Sequence, residues 1–352
     1  MPDWSKSMQQ TFEYYTVDPS TWRTVKKLNN VTACTIDRDS EVETLGSATI
    51  DMDESLGECY VRPHLITIQN GLKETHPLGT FLVQTPSASF DGKVKSHSVD
   101  AYTPLIELKE NPPPIGYSLL KGDNIMSKAY QIVREQARAP VVEAPCNETL
   151  SYDFVANTDD TWMSFTSDLI YNAKYEYALD ELGRILFSPR QDIASLQPIW
   201  DYTDDDKSIL YSDITTDSDL YNIPNVVEVI YSNGSDTYHA TVVNDDSNSP
   251  VSTVNRGRII KYRDTNPSIS GDPNEDMINE YANQLLRDLS IIQYKITYTH
   301  GYCPVRLGDC VRITYKKAGL DGVKAKVISQ NIKCIPGTPV KEAAVFTSKL
   351  WG

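Results

Sequence analysis

Between Gly271 and Tyr315 the hydrophobic period of the chain changes once, and that change constrains the fold more than any other stretch. Met277, Ile278, Tyr281, Leu285 and Leu289 recur at three- and four-residue steps, which puts one apolar stripe on a helix. Asp272 followed by Pro273 predicts the N-terminus of that helix. After Leu289 the period falls to two: Ile292, Tyr294, Ile296 and Tyr298 alternate with Ile291, Gln293, Lys295 and Thr297, the pattern of a strand. Pro304 interrupts the strand, Leu307-Gly308-Asp309 predicts a turn, and Cys310 to Tyr315 predicts a second strand. This is a helix feeding an antiparallel β unit. It holds no nucleophile motif, no phosphate loop and no metal box, so it points to an assembly module rather than an enzyme.

The rest of the chain is richer in strands. Val31 to Arg38, Ser47 to Met52, Glu58 to Gln69, Gly79 to Ser89 and Lys93 to Tyr102 are alternating or β-branched runs. Asn70-Gly71 and Asp91-Gly92 separate some of them and favour primed hairpin turns. Strands at this spacing predict an antiparallel barrel or sandwich. Asn111-Pro112-Pro113-Pro114 cannot join a ladder or a helix interior and ends the region. Next, Asp123 predicts the cap of a helix to about Gln136, with Ile125, Met126, Ala129, Tyr130 and Val133 inward. A second helix is expected from Asp159-Asp160, carrying Trp162, Phe165, Leu169 and Ile170. A hairpin of Lys174 to Ala178 and Arg184 to Phe187 follows, closed by Asp180-Glu181-Leu182-Gly183. Later strands are expected at Val226 to Ser232 and Tyr238 to Val243 about Asn233-Gly234, then at Arg258 to Tyr262. The last runs from Gly322 to Ile335, with Pro336-Gly337 as its end.

The fold class expected is α+β, mostly β: two tube-like antiparallel β-barrel domains with a small α+β insert between them. The boundaries are residues 1–112 for the first β-barrel domain, 113–195 for the insert, and 196–352 for the second β-barrel domain with its embedded helix. No residue-level repeat links the two β domains.

Composition narrows the function. The chain has 352 residues and a formal net charge of −15, the wrong sign for gripping phosphates. Its 21 tyrosines against 7 phenylalanines suit half-buried sheet faces and wet interfaces. No apolar leader opens the chain and no run has the ~20 apolar residues of a membrane span. Cys34, Cys59, Cys146, Cys303, Cys310 and Cys334 lack the close spacing of zinc ligands and are expected to be reduced thiols. Cys303 and Cys310 flank the Pro304 to Asp309 turn and could approach across a hairpin.

The candidate catalytic and metal constellations each have a plainer reading. Glu41 with Glu43, and Asp51 with Asp53, would share a strand face, as solvated acids or as the paired carboxyls of a glycosidase. Asp201, Asp204, Asp205 and Asp206 lack the glycine and terminal glutamate of a calcium loop. His64, His76, His97, His239 and His300 are far apart, and each is expected to be a surface or strand residue. No Gly-x-Ser-x-Gly elbow occurs. No catalytic, metal or cofactor residue is assigned, and no cofactor is expected.

Two motifs carry a family resemblance. One is the helix-hairpin Asp159-Asp160-Thr161-Trp162 through Tyr175-Glu176-Tyr177-Ala178-Leu179-Asp180-Glu181-Leu182-Gly183-Arg184-Ile185-Leu186-Phe187. The other is Pro304 with Leu307-Gly308-Asp309-Cys310-Val311-Arg312-Ile313, after a helix. In this order, over most of the chain, they resemble the baseplate-hub and tail-tip hub family of tailed bacteriophages and related injection machines. Met1 to Phe12 fall outside the resemblance. The resemblance implies a homotrimer whose paired β domains make a pseudo-sixfold ring. That ring would join a hexameric tail-tube or distal tail protein to a threefold central fibre or spike. It would meet the tape-measure protein and let DNA pass without specific binding. It implies a virion location, at the tail tip or baseplate, after synthesis in the host cytoplasm. The alternatives are a tail-associated cell-wall or polysaccharide hydrolase, or a receptor-binding tail protein.

Overall fold

The computed structural model describes residues 2–54, 56–90, 95–218, 220–232, 236–265, 267 and 274–351. Strands make up 45% of the chain and helices 16%, in large antiparallel sheets. The first elements are β1 (Gln9–Val17), β2 (Thr24–Leu28), β3 (Val31–Asp39), β4 (Gly46–Met52), β5 (Cys59–Gln69), β6 (Leu72–Pro77), β7 (Phe81–Phe90) and β8 (Lys95–Tyr102). The middle of the chain adds α1 (Ile106–Lys109), β9 (Ser118–Leu119), α2 (Ile125–Gln136), β10 (Phe154–Val155), α3 (Trp162–Asn172), β11 (Tyr175–Leu179) and β12 (Ile185–Pro189). Then come β13 (Trp200–Tyr202), β14 (Leu210–Ser218), β15 (Val226–Ser232), β16 (Thr237–Val243), α4 (Thr253–Arg256), β17 (Lys261–Asp264) and α5 (Glu275–Leu289). The last are β18 (Ile291–Gly301), β19 (Cys310–Tyr315), β20 (Leu320–Lys333) and β21 (Pro339–Lys349).

The chain forms two compact units, residues 1–214 with 297–344, and residues 215–296 with 345–352. In the first, the main sheet path runs β14-β18-β21-β20-β3-β4-β8-β7-β5-β1-β2, with β13, β19 and β6 attached at its sides. Among the described residues the path is open, and no closed barrel is traced by these pairings. Strands β14, β18 and β21 carry the chain on into the second unit. In β4 the period of two survives intact, with Gly46, Ala48, Ile50 and Met52 buried and the residues between them less so. In β5 every residue from Tyr60 to Thr67 is buried, so both faces of that strand are covered. Asn70 and Gly71 have φ of 50° and 78°, the two left-handed residues that a primed turn requires between β5 and β6.

The middle helices and hairpin form as expected, with the caps displaced. Asn124, not Asp123, caps α2 by accepting from the Ser127 N–H at 2.9 Å. Thr161 caps α3 in a reciprocal box with Ser164, and Asp160 instead accepts from the Asn157 N–H. An Asp one residue too early serves its own turn better than the helix. Trp162, Phe165, Leu169 and Ile170 are buried together with Tyr177, Ile185 and Phe187, and Tyr175 packs against them half-buried. The same cluster continues into Val17, Trp22, Tyr60 and Leu82 of the large sheet region.

The Asp180–Gly183 turn explains how the hairpin is held there. Asp180 accepts from the backbone of Leu182 and Arg184 and from the Arg184 guanidinium. This aims the Leu182 carbonyl at Trp22 Nε1, Thr80 Oγ1 and Arg62 Nη2, at 2.7, 2.7 and 3.0 Å. Arg62 is a buried cation whose Nε also donates to Thr80 Oγ1 at 2.7 Å. Burial pulls its pKa down, and the carbonyls and Asp180 offset part of that cost. The Glu181 carbonyl accepts from Gly79, and its carboxylate pairs with Arg306.

The second unit is a helix on a three-stranded sheet of order β16-β15-β17, antiparallel in one pairing and parallel in the other. Val227, Val229 and Ala240 of the sheet meet Ile278, Ala282 and Leu286 of α5. The helix is therefore rotated from the expected stripe: Tyr281, Leu285 and Leu289 flank the contact, and Met277 is exposed. Its cap is Asn274, which accepts from the Met277 N–H at 2.9 Å. The turns expected at Asp91-Gly92 and Asn233-Gly234, and the Asp272-Pro273 cap, lie outside the described residues.

Two corrections concern the chain ends. Pro336-Gly337 does not end the last region. It is a turn in which the Thr338 N–H donates to the Ile335 carbonyl, and β21 follows it. The N-terminal segment without an assigned element contributes β1, whose Gln9–Val17 pairs with β5 at every position.

Candidate functional site

The N-terminal segment lines a surface groove of the first unit. Asp3 is strapped to the end of β5, its N–H donating to Gln69 Oε1 at 2.7 Å while Gln69 Nε2 donates to its carbonyl at 2.9 Å. This places Trp4 edge-on to His76 and Tyr302, with ring centroids 5.0 and 5.1 Å apart. Trp4, Met8 and Tyr302 then line a groove of about 540 Å³ with Gln10, Gly301 and Gly337. Thr338 Oγ1 donates to Gln10 Oε1 at 2.9 Å across it. Along this groove β1 is an open edge. Strand β2 pairs with β1 only from Tyr14 onward, so among the described residues Gln9 to Glu13 pair on the β5 side alone. An open edge beside an aromatic floor suits an extended peptide, bonded through its backbone and with little demand for charge.

Behind the groove lies a buried polar cluster. His300, the penultimate residue of β18, is fully buried and donates from Nδ1 to the Gly301 carbonyl at 2.7 Å. Its Nε2 is 3.1 Å from the Tyr202 hydroxyl and 3.5 Å from Glu342 Oε2. Glu342, also fully buried, accepts from the Tyr298 hydroxyl and from Gln330 Nε2. Cys303 Sγ lies 3.2 Å from the Tyr202 hydroxyl and 3.9 Å from His300 Nδ1. Burial pulls the His300 pKa down, but hydrogen bonds and charge from Cys303 and Glu342 outweigh it and leave the imidazole pushed up to about 10. The imidazole is thus held in its protonated form beside the buried Glu342 carboxyl. Cys303, His300 and Glu342 have the residue types of a nucleophile, a base and an orienter. All three are sealed from solvent, so the arrangement holds strands together instead of meeting a substrate.

A second surface lies on the short β9–β10 ladder. Ile115 is 99% exposed and Tyr152 81%, with Leu120 and Val155 also exposed beside the paired residues Ser118–Leu119 and Phe154–Val155. Exposed apolar side chains near a small ladder are a candidate interaction surface.

The residues singled out in the sequence are scattered. Glu41 and Glu43 are in the turn after β3, not on a strand, and Glu43 pairs with Lys109 at 3.0 Å. Asp51 is within β4, and Asp53 lies beyond its end. Asp201 pairs with Arg312 at 3.6 Å, and Asp205 accepts from Thr203 and from the Lys207 N–H in its own turn. Among the described residues no group of three or more His, Cys, Asp or Glu could hold a metal. All five histidines are in strands. His64 is buried, which with the Arg62 charge lowers its pKa to about 4. His76 bonds Thr67 at 3.0 Å, and His239 faces Glu228 at 3.3 Å.

Comparison with known proteins bears on the fold. No protein-family model and no curated protein matches the chain. Among solved structures, it is similar to the tail protein from Neisseria meningitidis MC58, with a TM-score of 0.60 at 14% identity over 96% of each chain. It is also similar to the 43 kDa tail protein of prophage MuSo2 from Shewanella oneidensis. There the TM-score is 0.59 at 12% identity, over 95% of this chain and 98% of that one. A chain of the Francisella PdpA–VgrG complex matches with a TM-score of 0.57 at 9% identity, over 96% of this chain and 58% of that one. The resemblance to the tail-hub family therefore holds in the fold.

Proposed function

We propose that this chain is a structural hub of a phage tail tip or baseplate. The observation that carries it is the end-to-end likeness of fold, over 95% or more of each chain, to a tail protein and to a prophage tail protein. In this role three copies form a ring in which two tube-like β domains per chain, 1–112 and 196–352, present six similar surfaces. The 113–195 segments keep the true threefold. The ring joins a hexameric tail-tube or distal tail protein to a threefold fibre or spike, touches the tape-measure protein, and passes DNA without holding it. The exposed β9–β10 ladder and the groove along β1 supply contact surfaces suited to such an assembly. The net charge of −15 favours a wall that DNA slides past, because no excess of cations is available to displace counterions from phosphates.

The test is a paired one on the purified chain. Negligible DNA binding at physiological salt and no hydrolysis of cell-wall polymers are expected. Sub-micromolar DNA binding, or turnover lost on replacing one carboxylate, would favour the hydrolase instead.

A further inference from the structure

Cys34 and Cys334 stand opposite each other where β3 meets the end of β20. The ladder pairs Thr35 with Lys333, and the Cys334 N–H donates to the Cys34 carbonyl at 3.0 Å, so the next cross-strand position joins the two cysteines. Directly opposed residues of an antiparallel ladder project to the same face. A hydrogen-bonded antiparallel pair of this kind sets its Cα atoms about 5.5 Å apart, inside the range of about 4.4–6.8 Å that a disulfide spans. Both side chains are free thiols, 4% and 7% exposed. The Tyr14 hydroxyl, reaching in from β1, stands against both sulfurs. The pair singled out by spacing, Cys303 and Cys310, has other neighbours: Tyr202 and His300 for the first, the Val311 carbonyl for the second.

We propose that Cys34 and Cys334 form a convertible dithiol that a small-molecule disulfide oxidises to a cross-strand disulfide. Cys334, the more exposed, loses its proton and its thiolate attacks one sulfur of the small disulfide. That S–S bond breaks and one small thiol leaves. The Cys34 thiolate then attacks the Cys334 sulfur of the mixed disulfide and expels the second small thiol. Two protein thiols are oxidised, one small disulfide is reduced to two thiols, and the two protons end on the released thiols. Contact with Cys334 and burial push the Cys34 thiol up, so closure is slow near neutral pH and quickens as pH rises. The bond closes a loop on the order of 300 residues, the regime in which a cross-link restricts the unfolded chain most. It would lock β3, near the start of the chain, to β20, near its end.

The experiment uses the native full-length chain with excess oxidised glutathione at about pH 8, where thiolates begin to form. Acid quenching, alkylation under denaturing conditions and mass spectrometry of unreduced peptides follow. Two of the six thiols should disappear, one linked peptide pair should contain Cys34 and Cys334, and dithiothreitol should restore both. The oxidised protein should also unfold at higher urea than the reduced one. Cys34→Ala should retain a glutathione adduct on Cys334, and Cys334→Ala, which lacks the attacking thiol, should not be glutathionylated at Cys34. Six surviving thiols, a glutathione adduct on the wild type that never resolves, or a bond between a different pair would overturn the proposal. Because the peptide mapping is done on the wild type, a variant that fails to fold does not block the decision.

Discussion

At the scale of single residues, two positions carry more than their neighbours. Gly183 has φ of +72°, and a Cβ there would lie 2.7 Å from the Thr80 Cβ. Gly183→Ala therefore combines left-handed strain with a collision against Thr80, whose hydroxyl donates to the Leu182 carbonyl. It should lower stability by on the order of 1–3 kcal/mol in urea unfolding. Gly319→Ala, at φ +75° with nothing within 4 Å, isolates the backbone part and should cost less. Equal losses at the two positions would show that the Thr80 contact is irrelevant. His300 gives a pH prediction. Its pKa rises from 6.5 to about 10 on folding, so its contribution is full below 6.5 and is lost as pH climbs through about 10. The wild type should exceed His300→Gln most at pH 6.5, with the gap in urea midpoint closing toward pH 10. A gap that stays constant over that range would mean the imidazole is neutral in the fold.

At the scale of elements, local signals were legible and long-range ones were not. Helix α3 and the β11–β12 hairpin follow from a run of Trp162, Phe165, Leu169 and Ile170 and a turn whose Asp and Gly have clear backbone roles. Trp162, 5% exposed, is the anchor, and Trp162→Ala should cost roughly 3–5 kcal/mol. A loss under about 1 kcal/mol by denaturant unfolding would remove α3 from the core. Strand β21 was hidden because Pro336-Gly337 reads as a terminator, yet it only turns the chain. The start of β1 was hidden because Gln9, Gln10 and Thr11 offer little alternation on a partly exposed edge. The groove was illegible with it. The buried cluster joins Tyr202, His300 and Glu342 from three strands, and Cys34 meets Cys334 from opposite ends of the chain. Sequence spacing carries no trace of such pairings. What pointed to them was only weak: a lone acid, Glu342, in the apolar run of β21.

At the scale of the whole molecule, the chain shares its fold with tail proteins and is rich in acid and tyrosine. The proposed hub would work by repetition, since one chain cannot encircle a tube by itself. The central claim is therefore about assembly. The most direct measurement is electron imaging of the purified chain, with light scattering on the same sample and symmetry analysis of tails that contain it. Three copies around an open channel, threefold in detail and near-sixfold in outline, are predicted. A hexamer of this chain within the tail, or a compact trimer without a channel carried at the far tip, would contradict the account.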